Sequence, residues 1–151
     1  MAATRPGSET WPGGVVTLRV PHHPRSVKDV RHCLRASLEA QGLSDDIVND
    51  TEIVVAELLG NAVRHAAPLS GGEVEISWRV RSGAVELQVK DGGSSGAVEL
   101  SEADPLSVWG RGLHIVSTVS WAWGVVDLRG GERTVWASLV PSDEQHLAHV
   151  S

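Results

Sequence analysis

The chain has 151 residues, of which 41% are hydrophobic and 21% charged, and its formal net charge at pH 7 is −6. This composition predicts one soluble globular domain that is long enough to bury a core. It argues against a chain that binds nucleic-acid phosphates or an anionic membrane. The start lacks the pattern of a signal peptide and no apolar stretch is long enough for a membrane span, so we expect a cytoplasmic protein. The single cysteine, Cys33, excludes an internal disulfide, and its place among apolar helix positions predicts a buried thiol.

The first predicted elements in chain order are an arm, a strand and a helix. Residues 1–14 are rich in Gly, Pro, Ser and Thr, which predicts a flexible arm. The alternation in VVTLRV predicts a strand over Val15–Val20, which the segment PHHP then ends. Apolar residues at helical spacing predict an amphipathic helix from Arg25 to Ala40, ended by Gly42.

The central predicted helix contains the sequence DTEIVVAELLGNAVRHA, residues 50–66, and Ser44 is its predicted cap. Apolar positions recur three and four apart along it, which indicates one buried face. Glu57, Asn61 and His65 are spaced by four residues, so their side chains line up in one stripe at the edge of that face. A carboxylate and an amide one turn apart beside an apolar face are suited to act as a base and a metal ligand in a pocket wall. The predicted buried face consists of Ile47, Thr51, Val54, Val55, Leu58, Leu59 and Ala62.

The second half of the chain predicts two hairpins separated by a long loop and a helix. GEVEISWRV and AVELQVKD are β-rich runs joined by Ser82-Gly83, the clearest hairpin signal in the sequence. The loop from Gly92 to Trp109 has no sustained periodicity, and a loop of this length in a compact domain is usually functional or mobile. GRGLHIVSTVS, residues 110–120, predicts a helix that opens on glycines. WAWGVVDL and RTVWASLV predict a second hairpin around the turn RGGE, and residues 141–151 form a polar tail.

This order of elements predicts an α+β fold. Runs of antiparallel strands with helices that share one face give a two-layer sandwich, a mostly antiparallel sheet covered by three helices on one side. One domain over residues 15–140 is expected between the arm and the tail. A ligand pocket would lie between the helix layer and the sheet, beside the long loop.

Three separated segments contain the candidate catalytic and binding residues: Glu57 with Asn61, the run DGGSSG from Asp91, and GRGL from Gly110. Each has an ordinary explanation when taken singly, namely a solvated helix face, a turn, and a loop that needs open backbone angles. Together, in this order, they predict a nucleotide site. Asp91 would accept a hydrogen bond from the exocyclic amine of a purine, and Gly93 would let the backbone lie close to the ring.

The phosphate end of such a site needs backbone N–H donors and positive charge. A helix that starts at Gly110–Gly112 offers both, and Arg111 adds a guanidinium. Magnesium is commonly held by one or two protein oxygens plus the phosphates, so the amide oxygen of Asn61 fits as its protein ligand. Glu57, one turn away, can take a proton from a water or hydroxyl that attacks the terminal phosphate.

The segments ELLGNAVRHA, VKDGG, GRGLHIV and RTVWASL resemble the N, G1 and G2 boxes and the last strand of the GHKL ATP-binding superfamily. The branch they resemble most is that of the small anti-sigma factor serine/threonine kinases and their actinobacterial relatives. The resemblance runs from about Val15 to Val140 and implies the Bergerat ATPase fold, with ATP and Mg²⁺ as cofactors. It also implies a transferase that phosphorylates an anti-anti-sigma factor of the STAS type and sequesters a sigma factor, and hence a role in transcription regulation.

Matched residue by residue, the resemblance implies Glu57 as the general base, Asn61 as the magnesium ligand and Asp91 as the adenine anchor, with Gly93 beside the ring. Thr134 matches a family threonine near the adenine-binding aspartate. The lid hinge and phosphate contacts would come from Gly110, Arg111, Gly112 and Leu113. Position 65 is where relatives often have a ring residue near the phosphates, although a histidine at the edge of the core explains His65 equally well.

Two departures from the family pattern support an alternative function. The G1 box is usually D-x-G-x-G, but Ser95 stands at the position of its last glycine. The lid from Ser94 to Trp109 is acidic and contains no lysine or arginine. The alternative is a non-catalytic partner-switching module on the same fold, with weak or no nucleotide binding.

Two other functions are not favoured by the sequence. The catalytic half of a histidine kinase would need a preceding helix pair with a phospho-acceptor histidine, and the chain shows none. A zinc site at His146 and His149 would have no cysteine partners in the polar tail. Because relatives in the family dimerise, the resemblance also suggests a homodimer.

Overall fold

A computed structural model describes residues 14–93, 120 and 122–141. Within these ranges the sheet has five strands in the order β1-β2-β3-β5-β4, and each neighbouring pair is antiparallel. Two helices accompany it, which confirms the predicted α+β class. The third predicted helix lies outside the described ranges except for Ser120. The elements are β1 (Val15–Pro21), α1 (Arg25–Ala40), α2 (Asp45–His65), β2 (Glu73–Arg81), β3 (Ala84–Asp91), β4 (Ala122–Asp127), a 3₁₀ turn (Arg129–Gly131) and β5 (Arg133–Leu139).

The core lies between one face of the sheet and the two helices. Strand β3 shows the alternation most clearly, because Val85, Leu87 and Val89 are buried while the residues between them are partly exposed. On β2, the buried indole of Trp78 donates its Nε1–H to the Oγ atom of Ser37 on α1, at 3.0 Å. The polar atom of the largest core side chain is therefore satisfied by the helix layer.

Helix α1 has the predicted bounds, but its buried stripe differs from the expected one. Ser26, Val30, Leu34 and Leu38 are buried, whereas Cys33 is exposed. The prediction of a buried thiol was therefore wrong, because Cys33 lies about 100° around the helix from Leu34.

Gly42 ends α1 as predicted, with a φ of +83°. The N–H of Gly42 donates to the carbonyl of Glu39 at 3.0 Å, and the N–H of Leu43 donates to the carbonyl of Leu38 at 3.2 Å. This pair of bonds is a Schellman motif, which needs the left-handed conformation that glycine adopts without strain. The chain can therefore turn sharply into α2.

Helix α2 begins at Asp45, directly after the predicted cap Ser44, and all seven predicted apolar-face residues are buried. Thr51 is tolerated there because its hydroxyl donates to the carbonyl of Ile47, at 2.7 Å. Ser44 occupies the predicted cap position without a side-chain cap bond, while Asp45 and Asp46 lie in the first turn, where acids favour the positive end of the helix dipole.

Both predicted hairpins are present. Strands β2 and β3 pair from Arg81 opposite Ala84 to Glu75 opposite Lys90, so that the Ser82-Gly83 turn sets their register. Strands β4 and β5 pair around the 3₁₀ turn. None of the helices in the described ranges combines the length and the apolar content needed to cross a membrane.

Candidate functional site

Asp91 is the last residue of β3 and continues the inward row of Val85, Leu87 and Val89, so its carboxylate faces the helix layer. The residue is only 1% exposed. Its Oδ1 atom accepts a hydrogen bond from the Gly93 N–H at 2.6 Å, and its Oδ2 atom has no hydrogen-bond partner within the described part of the chain. A buried carboxylate oxygen without a partner is costly and is typical of a binding site.

The charge state of Asp91 reflects this environment. Burial raises the pKa of the carboxyl to about 6, whereas the Gly93 N–H and the charges of Arg133 and His22 act in the opposite direction and the Asp127 carboxylate adds to the increase. The group is therefore mainly ionised at pH 7, and it is able to accept a hydrogen bond from a ligand amine.

The segment that follows α2 is hydrogen-bonded to the loop that follows Asp91. The N–H of Ala67 donates to the carbonyl of Gly93 at 2.8 Å, and the N–H of Gly92 donates to the carbonyl of Ala67 at 2.7 Å. These two bonds hold the carboxyl end of the central helix against the end of β3. The structure thus brings the predicted N-box helix and the predicted purine anchor to one corner of the molecule.

His22, in the connection between β1 and α1, adds a third segment to this corner. Its Nε2 atom lies 2.9 Å from the carbonyl oxygen of Ala62 and 2.8 Å from that of Ala66. Both oxygens belong to the last turn of α2 and its cap, and the Ala62 carbonyl also accepts the Ala66 N–H at 3.2 Å. His22 therefore fixes the end of α2 beside Asp91.

The stripe on α2 is graded in burial. Asn61 is 1% exposed, while Glu57 and His65 are partly exposed. Burial and the nearby charge of Arg64 both lower the pKa of His65, so its ring is neutral at pH 7.

The amide of Asn61 has one engaged and one unpaired end. Its Oδ1 atom accepts a hydrogen bond from Arg64 Nη2 at 3.2 Å, and its Nδ2 atom has no partner within the described residues. Magnesium prefers oxygen ligands, and the amide oxygen of Asn61 is one. The hydrogen bond that this oxygen accepts is long and comes from an exposed arginine, so it can be broken. Asn61 thus fits a magnesium ligand, on the condition that Arg64 moves away from Oδ1.

Sequence reasoning did not identify a row of alternating charges across three strands. In the register of the sheet, Asp91 on β3 lies opposite Arg133 on β5, and Arg133 lies opposite Asp127 on β4. Arg133 donates its Nε–H to Asp127 Oδ1 at 2.8 Å, with its side chain only 8% exposed. Directly opposed residues in antiparallel strands point to the same face, so the guanidinium shares a face with Asp91.

A cavity of about 460 Å³ opens beside this row, within the range of small-ligand pockets. Asp91 does not line it, but Gly92, which follows Asp91, and Arg133, its cross-strand partner, both do. The lining residues are Ala67, Gly92, Gly93, Asp127, Leu128, Gly131, Glu132 and Arg133.

Of the remaining predicted site residues, only Thr134 lies in the described part of the chain. Thr134 lies opposite Lys90, so its side chain points to the other face of the sheet from Asp91, and the register does not support its contact with a ring held by Asp91. Gly110, Arg111, Gly112 and Leu113 lie outside the described residues, as does the lid with Ser95. Within residues 14–93, 120 and 122–141, no three His, Cys, Asp or Glu side chains converge as a metal site.

Comparison with known proteins places the chain in a family. Residues 20–139 match the model of the histidine kinase-like ATPase domain. The chain is 28% identical over 116 residues to the serine-protein kinase RsbW of Listeria innocua, covering 69% of this chain and 74% of that protein. It is 29% identical over 116 residues to RsbW of Bacillus subtilis, covering 69% of this chain and 72% of that protein.

A solved structure shows the same fold. The crystal structure of the RsbU and RsbW domains of a Mycobacterium tuberculosis protein matches with a TM-score of 0.66 at 17% sequence identity, covering 85% of this chain. Our chain spans 33% of the length of that longer chain. With the family model matched over most of the sequence and the buried Asp91 at the end of its strand, the chain belongs to the histidine kinase-like ATPase domain family and is homologous to the RsbW anti-sigma factor kinases.

Proposed function

We propose that the chain is an ATP-binding regulatory serine/threonine protein kinase of the anti-sigma factor type. Its substrate would be a serine or threonine of a STAS-type anti-anti-sigma partner, and in the absence of that partner it would sequester a sigma factor. Similarity to RsbW supports the kinase class and the partners. The observation that carries the nucleotide part is the buried Asp91 carboxylate, with one oxygen unpaired, beside a cavity of ligand size.

The bonding of Asp91 favours adenine over guanine. A guanine presents two adjacent donors, N1–H and the amine, and both oxygens of a carboxylate would receive them. Here Oδ1 already accepts the Gly93 N–H, which leaves Oδ2 for one donor. An adenine presents its amine as the single donor at that edge, so its pattern matches what Asp91 has left.

The catalytic end would lie on α2. Asn61 would hold Mg²⁺ through its amide oxygen, together with the phosphates, and the ion supplies charge neutralisation for phosphoryl transfer when bound. Glu57 lies one turn before Asn61, where its carboxylate would take the proton of the substrate hydroxyl. The hydroxyl oxygen of the substrate would form a bond to the terminal phosphorus of ATP as the bond between that phosphorus and the ADP oxygen breaks.

Glu57→Gln is expected to lower the phosphotransfer rate by about 100-fold while ATP affinity changes little, because the amide cannot accept the hydroxyl proton but keeps the size of the side chain. Transfer of phosphate from radiolabelled Mg-ATP to a purified anti-anti-sigma protein measures this. Glu52→Gln is a control on the same helix, since Glu52 instead accepts a hydrogen bond from Arg35 on α1, at 2.7 Å. Phosphotransfer by Glu57→Gln at the wild-type rate would remove the assignment of the base.

A non-catalytic partner-switching module remains the second candidate, and the bond between Arg64 and Asn61 favours it. A guanidinium on Oδ1 competes with a magnesium ion for the same oxygen and repels it. If wild-type protein binds the anti-anti-sigma partner but transfers no phosphate to it, this second function replaces the first.

A further inference from the structure

We propose that the Arg133–Asp127 ion pair is a positioning element of the purine site, in which the guanidinium keeps the Asp91 carboxylate charged and able to accept the hydrogen bond of the base. This inference rests on the proposed nucleotide function. It adds to that site two residues which are distant from Asp91 in sequence and become its neighbours only through the strand order β3-β5-β4.

Three observations on geometry support the assignment. The register sets Asp91, Arg133 and Asp127 in one row across adjacent strands, and opposed side chains in such a row have Cβ atoms about 5 Å apart. The guanidinium is held in place, because its Nε–H donates to Asp127 at 2.8 Å. Arg133 and Asp127 also line the cavity beside Asp91, so the pair lies where a ligand of Asp91 would arrive.

The electrostatic consequence follows from the position of each charge. A buried carboxylate tends to take up a proton, and a protonated Asp91 is a poorer acceptor for an amine. Arg133 opposes that protonation, and Asp127 has the opposite effect on Asp91 while it holds Arg133. Arg133 therefore favours the charged form of Asp91, and Asp127 favours the neutral form.

Other groups that face Asp91 do not differ between the variants proposed below. Besides Arg133 on β5 and Asp127 on β4, they are His22 from the β1–α1 connection and the N–H of Gly93. Helix α2, which packs against β3, carries Glu57, Arg64 and His65 in its last three turns. None of these groups is changed in the variants, and the nucleotide is the same, so each variant is compared with wild type at the same pH.

The test measures ATP affinity in the presence of Mg²⁺ from pH 5 to pH 9 for wild type, Arg133→Gln and Asp127→Asn. Arg133→Gln removes the positive charge, so its loss of ATP affinity relative to wild type should be about five- to tenfold larger at pH 5.5 than at pH 8.5, as expected for a midpoint moved up by about one pH unit. Asp127→Asn keeps an oxygen for the Arg133 Nε–H but removes the negative charge. It should bind about two- to threefold more tightly than wild type at pH 5.0–5.5.

A second readout needs no nucleotide. The ¹³C resonance of the Asp91 carboxyl in the ligand-free chain, assigned by its absence in Asp91→Asn, reports its titration midpoint directly. The midpoint should rise in Arg133→Gln, fall in Asp127→Asn, and stay at the wild-type value in Arg129→Gln, which removes an exposed charge from the same connection. If Arg133→Gln does not fold, the lower Asp91 midpoint expected in Asp127→Asn still tests the proposal.

Two results would overturn the proposal: an Asp91 midpoint that does not move in either variant, or an affinity loss in Arg133→Gln that is the same at every pH. Wild-type ATP binding with unmoved midpoints would reject the positioning role and leave the proposed function standing. Shifted midpoints without any ATP binding would instead reject the nucleotide function.

Discussion

Replacing Asp91 by asparagine should weaken ATP binding by about 1,000-fold and should also remove the pH dependence of stability that this carboxylate causes. The binding loss is expected because the substitution replaces Oδ2, the unpaired acceptor, by an NH₂ donor that faces the donor amine of adenine. A Mg-ATP titration of the variant at pH 7.5 measures it.

The stability effect follows from the direction of the pKa shift. The folded-state pKa of Asp91 is raised to about 6, against about 3.9 in an unfolded chain. The folded chain therefore binds the Asp91 proton more tightly than the unfolded chain does. The stability that this bound proton contributes is lost as the pH rises from about 4 to about 6. Each unit of pKa difference corresponds to about 1.4 kcal/mol, so the ionised carboxylate costs up to about 3 kcal/mol at pH 8.

Urea unfolding of the ligand-free chain at pH 4.5 and pH 8 tests this. Between pH 4.5 and pH 8 the difference in unfolding free energy between wild type and Asp91→Asn should shift in favour of the variant by about 2 kcal/mol, because at pH 4.5 the carboxyl is already mostly ionised in the unfolded chain. Asp29→Asn, at an exposed position on α1, should keep the wild-type pH dependence. An Asp91→Asn protein with the wild-type pH dependence and the wild-type ATP affinity would show that the carboxylate is neither desolvated nor a ligand anchor.

Gly93→Ala is the second large effect, with an expected loss of about 3 to 5 kcal/mol in the free energy of unfolding. Gly93 has a φ of +79°, and a Cβ atom there would lie 2.0 Å from the carbonyl oxygen of Gly131 in the β4–β5 turn. The substitution therefore combines a left-handed backbone with a clash against main chain, which cannot rotate away as a side chain can.

Gly130→Ala is the matched control for that measurement. Gly130 has a φ of +83°, but no atom lies within 4 Å of a Cβ built there, so it should lose only about 1 kcal/mol from the backbone conformation. Equal losses in the two variants, measured by urea unfolding, would mean that the approach of Gly93 to the β4–β5 turn does not contribute to stability.

Local patterns were sufficient for the predictions that involve one element at a time. The hairpin β2–β3 followed from two alternating runs around Ser82-Gly83, and the buried face of α2 followed from its three-and-four spacing. Asp91 at the end of a strand was also readable, because an acid and two glycines directly follow an alternating run. In each case the signal lies within about 20 consecutive residues, where side-chain periodicity reflects burial directly.

Sequence patterns did not predict the contacts between residues that meet only through the fold. The Arg133–Asp127 pair depends on β5 lying between β3 and β4, which no local pattern encodes. His22 reaches carbonyls 40 and 44 residues further along the chain. Thr134 follows Arg133 in β5, and because successive side chains of a strand point to opposite faces, its side chain points away from Asp91.

Gly93 has a structural role in addition to the one predicted from the sequence. The sequence pattern assigned it to close approach of the backbone to a ring. The structure adds a contact within the protein, since its Cα faces the main chain of Gly131. A glycine at this position is therefore required for folding as well as proposed for binding, and loss of ATP binding in Gly93→Ala would not by itself locate the ligand.

The most direct test of the central claim, that the Asn61 helix and the Asp91 corner form one site for ATP and magnesium, is calorimetric titration of the full chain with ATP at pH 7.5, with and without Mg²⁺. We expect saturable binding of one ATP per chain that is tighter with Mg²⁺, with this Mg²⁺ dependence lost in Asn61→Ala and the binding itself lost in Asp91→Asn. Absence of saturable binding by the wild-type chain, or binding that both variants retain unchanged, would contradict the account.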